Sequence, residues 1–195
     1  MNDEFKPVIG HEHIQWRIEG EDIQTVVFKM DTGSRINVQP GAFLCGAGGV
    51  EQIGISWGQN IMTPFLRKWS GEKAVLQELA CEQEPAYVVV GEAKLGKIIH
   101  IRLNGETDLI AQRGAYLASA GDIDLNVAFT GNLRAGLFGG QGVVFQRISG
   151  VGDVFLHALG SVVDWTLDHE ALVRVSTNNI LAFHSTVGYD VHFSG

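Results

Sequence analysis

Three stretches of this chain repeat one pattern, and a repeat fixes architecture before any single motif is weighed. They are TVVFKMDTGSRINVQPGAFL (Thr25 to Leu44), IIHIRLNGETDLIAQRGAYL (Ile98 to Leu117) and VVDWTLDHEALVRVSTNNIL (Val162 to Leu181), and they align without gaps. Each opens on apolar residues two apart, the mark of a strand with one buried face. These are Val26, Phe28 and Met30, then Ile99, Ile101 and Leu103, then Val163, Trp165 and Leu167. A turn follows at Asp31-Thr32-Gly33, Asn104-Gly105-Glu106 and Asp168-His169-Glu170. Asn-Gly is the strongest hairpin signal among them, because both residues tolerate positive φ. A second strand returns through Ile36 and Val38, Leu109 and Ala111, Val173 and Val175, and ends on Phe43-Leu44, Tyr116-Leu117 and Ile180-Leu181. The last inward residue of the first strand and that bulky residue are 13 positions apart in every copy. The connectors echo too: SGEKAVLQEL (Ser70 to Leu79) aligns with GGQGVVFQRI (Gly139 to Ile148).

The 195-residue chain carries 25 glycines and 4 prolines, which supplies a turn for each short strand. The pattern predicts an all-β fold, a β-sandwich or double-stranded β-helix-like architecture with three internally repeated β-hairpins. A single domain is expected over 1–195, with repeats near 25–44, 98–117 and 162–181. The one helical segment expected is TPFLRKW (Thr63 to Trp69), where threonine caps and proline takes the first helical position.

Charge narrows the function. The chain carries 22 acids against 14 Lys and Arg, a net charge of −8, and no basic run that would neutralise phosphates; a nucleic-acid partner is not expected. Cys45 and Cys81 form no CxxC pair and read as reduced thiols, with a single disulfide as the alternative. The opening MNDEFKPVIG has no apolar run, so no signal peptide is expected, and no stretch reaches the roughly 20 apolar residues of a bilayer span. A cytoplasmic location is expected.

Two catalytic-looking motifs lose their context. RAGLFGGQG (Arg134 to Gly142) resembles a phosphate-cradling loop, yet VVFQRIS follows it as a strand where that chemistry needs a helix N-terminus. GISWG (Gly54 to Gly58) fits G-x-S-x-G, but no long helix follows Ser56 as a nucleophile elbow requires. HEH (His11 to His13) puts two imidazoles on one side of a strand, where they could serve a metal, with His184 and His192 as remote third ligands. Of the other histidines, His100 is expected on an outward, solvated strand face, His169 in a solvated turn and His157 within a strand.

The apolar segment WGQNIMTPFLRKW (Trp57 to Trp69) sets Trp57, Phe65 and Trp69 beside Arg67 and Lys68. Its counterpart in the second connector brings in Leu137 and Phe138. These five residues form the expected interaction surface, toward a protein or a membrane.

The motifs QPGAFL (Gln39 to Leu44), SGE (Ser70 to Glu72), LIAQRGAYLAS (Leu109 to Ser119), GLFGGQG (Gly136 to Gly142) and ISGVGDVFLHALG (Ile148 to Gly160) run through most of the chain. Together they resemble the altered-inheritance-of-mitochondria family, a mitochondrial biogenesis family with bacterial relatives of unknown function. The resemblance implies a fold similar to the tryptophan RNA-binding attenuation protein, a variant double-stranded β-helix that forms oligomers. It also implies a scaffold role, since mitochondrial members are associated with inner-membrane architecture, and it supplies no catalytic residues. The attenuation protein's basic RNA-binding surface has no match in this sequence.

The expectation is a non-enzymatic, oligomeric scaffold or binding protein, without cofactor, in a bacterial cytoplasm. Two alternatives stay open at this point: a cupin-like metal-dependent β-barrel enzyme using His11 and His13, and a peripheral membrane-associated protein.

Overall fold

The structure is a computed structural model and describes residues 4–57, 75–83, 85–112, 114–128 and 145–190. The described residues form thirteen strands: β1 (Lys6–Val8), β2 (His11–Glu19), β3 (Thr25–Met30), β4 (Arg35–Val38), β5 (Phe43–Ala47), β6 (Val50–Trp57), β7 (Val75–Cys81), β8 (Ala86–Gly91), β9 (Lys97–Asn104), β10 (Leu109–Gln112), β11 (Tyr116–Ala128), β12 (Phe145–Ala158) and β13 (Ala182–His184). The only helical element among the described residues is a 3-10 turn at Thr177–Asn179. The expected helix over Thr63 to Trp69 and the RAGLFGGQG stretch lie outside the described residues.

The strands form two antiparallel sheets, as the all-β sandwich reading requires. One runs β1-β2-β3-β8-β5; the other runs β13-β10-β12-β11-β4-β7-β6, with β9 also paired to β12. The alternation read from sequence explains the core between them. Val26, Phe28 and Met30 of β3 are fully buried, as are Ile36 and Val38 of β4, and they pack with Leu117, Ala118 and Phe155. A second cluster gathers Leu103, Leu109, Ile148, Val154 and Leu156. Burying each such side chain is worth about 1.5–3 kcal/mol.

The first two repeats superpose at the level of register. Val38 pairs with Gln77 on β7, and its counterpart Ala111 pairs with Gln146 on β12. Phe43 lies opposite Val90 and Cys45 opposite Val89, with a bulge between. Tyr116 lies opposite Leu156 and Ala118 opposite Phe155, with the same bulge. The connector echo is therefore geometric as well as textual: it places equivalent strands beside equivalent strands. The expected hairpins do not form, however: β3 pairs with β2 and β8 while β4 pairs with β7 and β11, and β9 and β10 pair with other strands and not with each other. Each turn carries the chain from one ladder to another, a long-range choice that local alternation and turn residues do not encode. In the long β11–β12 ribbon, Gly150 has φ of 115°, and a Cβ there would lie 1.9 Å from the Asp122 carbonyl. Only glycine lets the two backbones approach so closely.

The third repeat departs from expectation. Its turn forms: Ala171 N–H donates to the Asp168 carbonyl at 3.0 Å, as Ser34 N–H donates to Asp31 at 3.1 Å in the first copy. Glu170 even holds the left-handed position (φ 70°) that Gly33 occupies (φ 87°). The flanking segments nevertheless form no ladder, and Val163, Trp165 and Leu172 are 72%, 65% and 80% exposed. An alternating pattern specifies which face is apolar, but a strand persists only beside a neighbour, because an isolated hairpin is barely stable. Here no described strand pairs with either flank of the third turn.

Candidate functional site

Three features of the fold carry chemistry: a buried ionic cluster, an exposed apolar arm and an open sheet edge.

The cluster centres on Asp153 of β12, whose side chain is fully buried. Antiparallel pairing sets Asp153 opposite Arg102 and Phe155 opposite His100, so both β9 side chains, two residues apart on one face, converge on the carboxylate. Oδ1 accepts from His100 Nε2 and from Arg102 Nε at 3.0 Å. Oδ2 accepts from the backbone N–H of Ile9 at 2.9 Å. Arg102 Nη2 also donates to the Pro7 carbonyl at 3.0 Å, which ties the amino-terminal hairpin to the central sheet. Burial pushes the Asp153 carboxyl up, but the hydrogen bonds from His100, Arg102 and Ile9 and the electrostatic attraction of His100 outweigh it, and its pKa is held below the usual range. Trp16 closes the group: its ring lies 4.1 Å from that of His100 and 5.1 Å from Phe155, and Lys6 Nζ sits 5.2 Å above it.

This arrangement pins strands together. Every oxygen of Asp153 is committed to a fixed donor, and none is presented to solvent, so the carboxylate is placed to brace three segments rather than to meet a substrate. A second polar contact, four residues further along β12, has the same character: buried His157 Nδ1 lies 3.6 Å from Glu92 Oε2. Buried Tyr116 shares a hydrogen bond with Ser119 at 2.8 Å and donates to the Asn37 carbonyl at 3.2 Å; burial pushes its hydroxyl well above the ordinary range.

The residues singled out from sequence are dispersed. His11 and His13 do share a face of β2, with ring centroids 5.6 Å apart. Among the described residues no group of three or more His, Cys, Asp or Glu side chains could hold a metal ion. His184 instead sits on β13 opposite Leu109, and His192 lies outside the described residues. Ser56 lies within the β6–β7 ladder opposite Leu76, inside a strand and not at an elbow. Trp57 closes β6; Phe65, Trp69, Leu137 and Phe138 lie outside the described residues. His157 is in a strand and His169 is exposed, as expected. His100, expected to be solvated, is half-buried against Asp153. Sequence reasoning misses Asp153 altogether. Its one signal is a lone acid within GDVFLHA, ahead of a run of apolar residues.

The exposed feature is the arm of the third repeat. It presents Val163, Trp165, Leu167, Leu172 and Val175 to solvent. A second exposed element is β5, which ends its sheet and whose five residues are all exposed, Phe43 and Leu44 included. Cys45 on that strand is a free, exposed thiol, while Cys81 is buried. No helix among the described residues is long and apolar enough to cross a membrane.

A family model described as mitochondrial biogenesis AIM24 matches residues 16–195. Among curated proteins none is significantly similar. A solved Streptococcus pyogenes protein from a structural genomics consortium shares the fold, with a TM-score of 0.71 and 18% identity over 93% of this chain and 81% of that one.

Proposed function

We propose that the chain, which belongs to the mitochondrial biogenesis AIM24 family, is a non-enzymatic scaffold or binding protein that works by self-association. The observation that carries this reading is the row of exposed apolar side chains on the arm of the third repeat, headed by Trp165 and Leu172. A contiguous apolar row is costly in water and is a common mark of an interaction surface. The polar groups support the same reading, because the most buried charge, Asp153, is consumed by structural hydrogen bonds. The net charge of −8 disfavours a nucleic-acid partner and weakens attraction to anionic lipid.

Light scattering coupled to gel filtration tests the reading. A homo-oligomer is expected at micromolar concentration, dissociating on dilution. A monomer throughout that range would overturn it.

A further inference from the structure

The registers of the sheets identify the missing neighbour of the third hairpin. In the first repeat the strand after the turn pairs with the third-strand position of the next repeat: Val38 with Ala118, Asn37 with Ser119, Ile36 with Ala120. The second repeat does the same with the third: Ala111 with Ala182, Ile110 with Phe183, Leu109 with His184. Transposed through the sequence alignment, these two ladders are one ladder. The series has a third term. The second strand of the third hairpin, Val173 to Val175, would pair with the third-strand position of the first repeat, Cys45 to Ala47.

Both halves of that third ladder are present and both are vacant. Val173 to Val175 lies in no strand, behind a turn already closed by the Asp168–Ala171 hydrogen bond. Cys45 to Ala47 lies in β5, whose only described neighbour is β8. Side chains match as they do in the first ladder, where Ile36 and Val38 face the small Ala120 and Ala118. Val173 and Val175 would face the small Ala47 and Cys45. An unpaired edge is a template for another chain, and an apolar strand with no neighbour is its natural occupant.

We propose that the arm of one copy adds as a strand to the β5 edge of a second copy, with Val175 opposite Cys45, Arg174 opposite Gly46 and Val173 opposite Ala47. The proposal rests on the self-association reading and gives it an interface. The contact is head-to-tail: each chain offers one arm and one edge, so association propagates into a ring or a filament.

Cross-linking through the native thiol tests it. A Val175→Cys variant under mild oxidation should give an interchain disulfide with Cys45, seen as a ladder of dimer, trimer and larger species on non-reducing gels. Cys45→Ala in the same background should abolish the ladder, and Thr166→Cys, away from the pairing strand, should give at least tenfold less product. Arg174→Pro removes a backbone N–H from a segment that the folded sheets do not use. It should leave the thermal transition of the chain in place while converting the oligomer to monomer. An oligomer that forms without the register-specific disulfide, or that survives Arg174→Pro, overturns the interface and leaves self-association standing. A monomer in every variant and in the parent overturns both. A disulfide confined to single chains keeps the register but overturns the second copy as occupant.

Discussion

Asp153 is bound on both oxygens by donors from outside its own strand, and this makes it the residue on which most of the polar stability turns. Replacing it by asparagine leaves His100 and Arg102 without a counter-charge and turns an amide N–H2 toward donors. Breaking a buried ion pair costs about 3–5 kcal/mol. His100 and Arg102 retain 24% and 45% side-chain exposure, so water recovers part of that, and Asp153→Asn is expected to cost about 2–3 kcal/mol in chemical denaturation. The acid limb carries a second signature. The folded pKa of Asp153 lies below its unfolded value of 3.8, so its stabilisation is complete above that value and is lost as pH falls through the lower folded one. The parent should therefore lose more stability than Asp153→Asn between pH values just above and well below 3.8. Equal acid slopes would show that the carboxylate is not paired as described. Little of this is legible at the sequence level. His100 falls on the outward position of its repeat strand, and an outward position reads as solvated. Its partner lies 53 residues away in the chain, and no local pattern encodes that meeting.

At the scale of elements, equivalent positions of the three repeats give a controlled comparison. Phe28, Ile101 and Trp165 occupy one place in the alignment, yet Phe28 is fully buried against Phe155 while Trp165 is largely exposed. Phe28→Ala is expected to cost about 3–5 kcal/mol, the usual loss for a large buried aromatic. Trp165→Ala should change the stability of the isolated chain by less than about 0.5 kcal/mol, as exposed sites do. Urea denaturation at a concentration where the chain is monomeric measures both, and a large loss at Trp165 would mean the arm packs on its own chain. The strands and turns of repeats one and two are readable because period-two alternation, turn residues and spacing are local properties; their pairing is not, since β3 and β4 join different sheets. The third hairpin carries the same local signals, and its turn obeys them down to the left-handed residue at Glu170. Its strands do not follow, because a ladder needs an edge to join, and edges are a property of topology. The expected aromatic surface is a different case: Trp57 is placed at the end of β6, but Phe65, Trp69, Leu137 and Phe138 fall outside the described residues.

At the scale of the whole molecule, a head-to-tail contact has a consequence that a symmetric one lacks. In a two-fold dimer each subunit brings the same patch, so a variant defective in that patch stays defective when mixed with any other. In a head-to-tail assembly the two halves are separable. Arg174→Pro removes the arm and keeps the β5 edge. Cys45→Lys keeps the arm and places a charge on the edge beside the incoming Arg174, the kind of device that stops edge pairing. Neither variant alone should assemble. Mixed in equal amounts they should form a one-to-one heterodimer and stop there, because the arm of the Cys45→Lys chain finds the intact edge of the other and no further compatible pair is left. Light scattering on the mixture, read against each variant alone, measures this directly: a mass of two chains is expected. Reassembly to the parent mass, or no association at all, would break the link between arm and edge. The same logic sets the parent's behaviour, since a chain with both halves intact grows until its geometry closes a ring or until it runs on as a filament.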